Sequence, residues 1–122
     1  MKKTTEDYLK MIRLLQKKNG TVRGVAIAEA FGVSRPTVSN IVKRLAAEGY
    51  IVMGGGRTIE LTGKGLSLAD ETIERNRTIK ELLIGLGVER SVAESDACEM
   101  EHAVSAQSLA ALKSLAKRGR EK

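Results

Sequence analysis

The 122-residue sequence predicts a mainly α fold, and three observations carry that prediction. Apolar residues make up 42% of the chain and aromatics only 2%, so the core must come from Ala, Leu, Ile, Val and Met, a mixture that favours helix over sheet. Apolar residues also recur at helical spacing in several separate runs, and each run is bounded by a capping residue or a glycine.

Leu9, Ile12 and the pair Leu14/Leu15 lie between Lys and Arg residues and stop at Asn19-Gly20, so a first helix is expected over about 5–18. Val25, Ile27, Ala28 and Phe31 mark a short second helix over about 24–31, ended by Gly32, which tolerates a positive φ. Ser34 is placed to cap a third helix, with Pro36 in its first turn, where a missing N–H is harmless; Val38, Ile41, Val42 and Leu45 form its apolar face up to Glu48-Gly49. Helix, Gly turn and capped helix make a helix-turn-helix. Tyr50–Met53 and Arg57–Leu61 are β-compatible runs joined by Gly54-Gly55-Gly56, which suits a hairpin, the wing.

Thr62 can cap a long helix over about 64–85, with Leu66, Ala69, Ile73, Leu83 and Leu86 on one stripe and Gly85 and Gly87 closing it. Ser91-Val-Ala-Glu94 reads as a capping box opening a fifth helix that runs to about Ala103. A sixth starts near Ser105 and carries Leu109, Leu112 and Leu115, and the charged tail Lys117–Lys122 is expected to fray. The expected domains are residues 1–63 and 64–122. At this length one modest core or two small lobes fit, and large catalytic architectures do not.

Charge divides the chain as the elements do. Residues 1–66 hold 12 Lys and Arg against 5 Asp and Glu, whereas residues 67–122 hold 9 against 10. A positive field confined to one lobe is the footprint of a surface that meets phosphate, the alternative being a merely solvated basic face. The first residues of the third helix, Ser34, Arg35, Pro36, Thr37, Ser39 and Asn40, are where such a helix meets base edges in a major groove. Asn40 suits adenine, Arg35 a guanine or a phosphate, and Pro36 or the Thr37 methyl suits thymine methyls. Lys43 and Arg44 one turn on, and Arg57 after the wing loop, fit phosphate contacts, with Arg23 as a possible helper. Taken singly, each of these is equally an exposed polar side chain without a task.

No apolar run approaches the roughly 18 residues of a membrane span, and the N-terminal residues lead into an amphipathic helix and not a signal sequence, so a cytoplasmic protein without membrane partners is expected. The lone Cys98 has no internal disulfide partner, which leaves a buried apolar residue, a reactive thiol or a ligand. Cys98, Glu101 and His102 stand at i, i+3 and i+4, so on a helix they share one face; together they suit a divalent transition metal, and separately they are an ordinary histidine with a surface glutamate.

The sequence resembles the diphtheria toxin repressor family of iron- and manganese-dependent transcriptional repressors, to which the manganese transport regulators also belong. The resemblance covers nearly the whole chain. It rests on Thr4-Thr-Glu-Asp-Tyr-Leu9, Ile27-Ala-Glu-Ala30, Ser34-Arg-Pro-Thr-Val-Ser39, Leu61-Thr-Gly-Lys-Gly65 and, most specifically, Asp96-Ala-Cys-Glu-Met-Glu-His102. It implies a winged helix-turn-helix followed by an α-helical metal-binding and dimerisation domain, double-stranded operator DNA and a homodimer as partners, no enzymatic activity and no small organic substrate. It also implies a metal site of Asp7, Cys98, Glu101 and His102 that ties the first helix to the fifth when Fe(II) or Mn(II) is bound, setting the dimer so that two recognition helices fit successive major grooves about 34 Å apart.

Iron-type members have Met where Asp7 stands and keep the Cys, and manganese-type members have Asp there and Glu at the position of Cys98, so this chain is a hybrid. Oxygen ligands favour Mn(II) and thiolate favours Fe(II), Co(II) or Zn(II); the expectation leans to iron. The family's second ion site fits poorly, since Asn76, Lys80 and Glu94 replace two His flanking a Glu, and Lys10 stands where manganese-type members have Glu. One ion per subunit is therefore expected, with the ammonium of Lys80 or Lys10 in place of a second. As the sequence ends after the sixth helix, no SH3-like third domain is expected. The alternatives are a winged-helix regulator that senses oxidants through Cys98 or an organic ligand, a DNA-binding module with no sensor, and a small metal-dependent hydrolase. The last is weakened by the single His with no second base beside it.

Overall fold

The computed structural model describes residues 2–120. The chain forms six helices and one hairpin in the order α1 (Lys2–Asn19), α2 (Gly24–Phe31), α3 (Arg35–Ala47), β1 (Ile51–Met53), β2 (Ile59–Leu61), α4 (Gly63–Gly85), α5 (Arg90–Met100) and α6 (Ala106–Arg120). It divides into two compact units, residues 1–70 and 71–122. The division falls inside α4, where Ala69 is part of the first unit's core and Leu68 packs against it. None of the described helices is long and apolar enough to cross a membrane.

In the first unit, Leu9 and Ile12 of α1, Ile27 of α2, Val38 and Leu45 of α3, and Ile51 and Ile59 of the hairpin are buried together. Tyr8 stacks on Phe31 with ring centroids 4.7 Å apart, and burial pushes its phenol pKa up. α1 begins three residues earlier than its apolar pattern, and Thr5, Glu6 and Tyr8 near its start are buried along with Leu9 and Ile12. α2 stops at Gly32, whose φ is +67°, and whose N–H returns to the last turn. Ser34 caps α3 by accepting the Thr37 N–H at 3.3 Å, with Pro36 in the first turn.

The hairpin pairs Ile51 with Leu61, Val52 with Glu60 and Met53 with Ile59. Both strands are shorter than expected: Tyr50 lies outside β1, while Arg57 and Thr58 belong to the loop. Gly56 and Arg57 have successive φ values of +68° and +63°, the backbone sense that suits a tight hairpin turn. Gly54 N–H donates to Thr58 O at 2.8 Å, closing the loop, and Ile59 N–H donates to Val22 O at 2.7 Å, so the wing leans on the segment ahead of α2.

The motif Leu61–Gly65 explains itself in contacts. Thr62 Oγ1 donates to Gly49 O at 2.7 Å and accepts the Gly65 N–H at 3.1 Å, capping α4 while gripping the end of α3. Thr62 N–H donates to Tyr50 O at 3.0 Å. Lys64 Nζ donates to Glu48 O at 2.9 Å and lies 4.4 Å from the centre of the Tyr50 ring. Gly65 must be glycine, because a Cβ there would stand 2.0 Å from Tyr50 O.

In the second unit the buried positions of α4 are Thr72, Arg75, Thr78 and Ile79, not the expected apolar stripe; Ile73 and Leu83 are half-buried, and Leu86 is 80% exposed in the turn beyond the helix. Of these, Arg75 donates from Nη2 to Glu71 Oε1 at 2.6 Å. α5 opens two residues earlier than expected, with Glu89 and not Ser91 as its N-cap residue; Ser91 Oγ donates to Glu89 Oε1 at 2.8 Å instead of forming a capping box. It closes at Met100, earlier than expected, leaving residues 101–103 as a turn. Ser105 caps α6 by accepting the Ser108 N–H at 3.1 Å. The expected fraying does not begin at Lys117, since α6 continues through Arg120; Glu121 and Lys122 lie outside the described residues. Lys113 of α6 pairs with Glu74 of α4.

Candidate functional site

Nucleic-acid contact in the first unit would fall to α3 and the wing. Arg35, Pro36, Thr37, Ser39, Asn40 and Lys43 are all exposed along α3, and Ser34 is exposed at its cap. The Ser34 and Thr37 hydroxyls are 2.8 Å apart, so part of their hydrogen-bonding capacity is spent on the cap. Arg44 differs from its neighbours: it is half-buried, 3.6 Å from Glu48 Oε1 and 3.5 Å from Thr5 Oγ1.

Between α3, the start of α2 and the wing lies an open groove of about 390 Å³. Its rim carries Arg23, Arg35 and Arg57, its floor is Val38, Val42 and Ile59, and no acidic residue lines it. Three exposed guanidiniums around one groove create a local positive potential suited to a phosphate backbone. The Arg23 guanidinium reaches the wing, 3.3 Å from where a Gly56 Cβ would stand. Arg57 has the one positive φ among the described non-glycine residues, in a loop where glycine was at hand three times over. A left-handed arginine costs about 1–2 kcal/mol, so its side chain is held at this place against local strain.

The candidate metal ligands of the second unit sit at the end of α5. Ala93, Ala97 and Glu101 recur every fourth residue and form the buried face of that helix and its cap, so the Glu101 carboxylate continues an alanine stripe and is 0% exposed. Cys98 is exposed one turn before, and His102 is half-buried in the turn after the helix, with Nε2 buried. The three are thus not all on one helix, because α5 stops before Glu101; the αR conformation of Glu101 nevertheless carries the helical path one residue further.

Asn76 of α4 binds two of them at once. Its Nδ2 donates to Glu101 Oε1 at 3.1 Å and to Cys98 Sγ at 3.6 Å, so a carboxylate oxygen and a sulfur converge on one amide group. Thiol, carboxylate and imidazole are the donor types that a borderline divalent cation takes, and a carboxylate at zero exposure is the kind of group whose burial such a cation offsets. The residues present therefore fit a metal. Of the remaining positions, Asp7 and Lys10 are half-buried on α1, Lys80 is half-buried on α4, and Glu94 is exposed on α5, 3.9 Å from Arg90. The contact of Asn76 with the ligands spans 22 and 25 residues of sequence, and no local pattern announced it.

These features are those of a winged helix-turn-helix DNA-binding unit followed by a helical unit that carries a cluster of metal-ligand types. Residues 1–58 match the iron dependent repressor N-terminal DNA binding domain, and residues 62–121 match the iron dependent repressor metal binding and dimerisation domain. The chain belongs to the iron-dependent repressor family. The transcriptional regulator MntR of Escherichia coli is 41% identical over 108 residues, 88% of this chain and 70% of that protein. The iron-dependent repressor IdeR of Mycobacterium tuberculosis is 36% identical over 103 residues, 84% of this chain and 45% of that one. Among solved structures, a manganese-dependent transcriptional repressor in complex with manganese superposes with a TM-score of 0.82 at 30% identity, over 93% of this chain and 52% of that one. The chain thus spans about half the length of the solved manganese regulators it matches.

Proposed function

We propose that this chain represses transcription by binding double-stranded operator DNA as a homodimer when Fe(II) or Mn(II) is bound, and so serves metal homeostasis in the cytoplasm. The observation that carries the proposal is the convergence of Cys98 Sγ and Glu101 Oε1 on Asn76, with His102 following Glu101 in the same turn, in the unit that matches the family's metal-binding domain. Cys98, Glu101 and His102 would hold the ion, and the resemblance adds Asp7 to them. When bound, the ion supplies positive charge to a buried carboxylate and a fixed geometry to three flexible side chains. The thiol favours Fe(II) over Mn(II). Residues 1–63 carry the DNA-reading function and 64–122 the metal and dimer functions. Sensing of oxidants or of an organic ligand through Cys98 would leave the buried Glu101 and the family's metal-binding match without a purpose.

In this reading Ser34, Arg35, Pro36, Thr37, Ser39 and Asn40 read base edges, while Lys43, Arg44, Arg57 and Arg23 meet phosphates. Replacing Arg57 with Gly is then expected to act in two directions. Stability rises by about 1 kcal/mol as the left-handed strain is relieved, measured by urea unfolding. Operator affinity falls, and the slope of log K against log salt shrinks by about one per subunit, about two for the dimer. A variant with unchanged slope would remove Arg57 from the phosphate contacts.

Operator selection from random DNA by the purified protein, run separately with Fe(II), Mn(II), Zn(II) and chelator, tests the whole proposal. A two-fold symmetric sequence should emerge with Fe(II) or Mn(II) and fail to emerge with chelator; equal enrichment with chelator would overturn metal dependence. Calorimetry on the same preparation should count one tight ion per subunit, and two would overturn the single-site reading.

A further inference from the structure

We infer that Asn76 is the positioning residue of the metal centre, and that its amide sets the strength of the Cys98 thiolate as a ligand. The inference rests on the metal-centre reading above and concerns a residue outside the candidate ligand set. Both atoms that Asn76 Nδ2 approaches are acceptors, a carboxylate oxygen at 3.1 Å and a sulfur at 3.6 Å. The amide oxygen turned to that side would face two electron-rich atoms, so the NH2 group must point there. An amide donating two hydrogen bonds in this way holds the two side chains together before any ion arrives, although one lies on α5 and the other in its cap. Each acceptor keeps further lone pairs for a cation.

The anchor is well placed for the task. Asn76 is half-buried on α4 between Arg75, fixed by Glu71, and the buried Thr78 and Ile79, so its backbone sits in an ordered helical stretch. An N–H directed at sulfur also withdraws electron density from the thiolate, moderating its donation to any ion held there, an effect smaller than the gain from holding the two ligands in place. With an exposed thiol among the ligands, that weakening counters the preference of sulfur for thiophilic ions and favours a site that Fe(II) or Mn(II) can share.

The test uses the full-length, metal-free protein reconstituted anaerobically with Co(II), without DNA. Thiolate ligation gives a near-ultraviolet sulfur-to-cobalt charge-transfer band, which Cys98→Ser should remove. Asn76→Ala is expected to weaken Co(II) binding about 10- to 100-fold, in the range that loss of an outer-sphere hydrogen bond to a ligand produces. It should also move the band to lower energy, because the sulfur lone pairs lose their donor; a merely structural role would not shift it. Asn76→Asp keeps the shape and removes the donor, so its band should move the same way even if packing is intact. Wild-type affinity and an unmoved band in Asn76→Ala would overturn the inference and leave the metal centre standing. Tighter binding by Asn76→Asp than by wild type would overturn it too, showing that this position ligates the ion through oxygen. A wild-type protein with no Cys98-dependent band would remove the metal-centre reading and this inference with it.

Discussion

His102→Ala is expected to abolish metal-stimulated operator binding while leaving the salt-sensitive affinity of the metal-free protein for DNA unchanged. His102 contributes the single imidazole of the chain, with its Nε2 buried in the turn that follows α5. A neutral nitrogen is the ligand that binds a borderline ion without adding charge to a site that already holds a thiol and a buried carboxylate. Couplings between effector and ligand sites are commonly about 5- to 150-fold, and that whole factor should fall to about one in the variant. The basic groove of Arg23, Arg35 and Arg57 is far along the sequence from this change, so metal-independent binding should keep its salt slope. Gel shifts with and without metal, at two salt concentrations, read both quantities. An undiminished metal response in His102→Ala would sink the site assignment.

Gly65→Ala should be the most damaging of the small substitutions for stability. The added Cβ would meet Tyr50 O at 2.0 Å, its carbonyl carbon at 3.0 Å and Leu61 Cδ2 at 3.3 Å. The first two are backbone, so no side-chain rotation relieves the clash. The start of α4 would have to retreat from β1, straining the Thr62 N–H to Tyr50 O bond and the Thr62 grip on Gly49. A loss of about 3 kcal/mol is expected, the upper part of the overpacking range. In thermal unfolding followed by circular dichroism this is roughly 10 °C. Gly63→Ala, two residues earlier, meets nothing within 4 Å and should be neutral or stabilising by about 0.5 kcal/mol. Equal melting temperatures for the two variants would refute this account of the motif.

What could be read from the residues alone followed from local chemistry. Ser34, Thr62 and Ser105 each cap the helix whose start they mark, and Gly32 ends α2, because hydroxyl acceptors and positive φ are decided within four residues. What could not be read depended on tertiary partners. Of the stripe through Leu66, Ala69, Ile73, Leu83 and Leu86, only Ala69 is buried, and further along α4 the buried residues are Thr72, Arg75, Thr78 and Ile79, since the neighbours of α4 decide which face is covered. Leu86 and Leu115 instead line an open apolar groove of about 530 Å³ between the end of α4 and α6. The spacing of Cys98, Glu101 and His102 was visible, but that Glu101 is wholly buried follows from its place in line with Ala93 and Ala97, and the end of α5 at Met100 was missed. The ligand role of Asp7 came from resemblance, and Asn76 stood out as a departure from the family pattern before its contacts gave that departure a meaning.

The clasp at the base of the wing also bears on how this architecture can change by insertion and deletion. Thr62 holds Gly49 and Tyr50, so the hairpin enters and leaves at points pinned to each other. Residues added at Gly54–Gly56 are closed off above that clasp and alter only the loop, at about 0.6 kcal/mol for each doubling of its length. One residue added between Leu61 and Gly65 would turn α4 by a whole helical step relative to α3. Wing length is therefore free to drift among such chains, whereas the five residues that follow it are not.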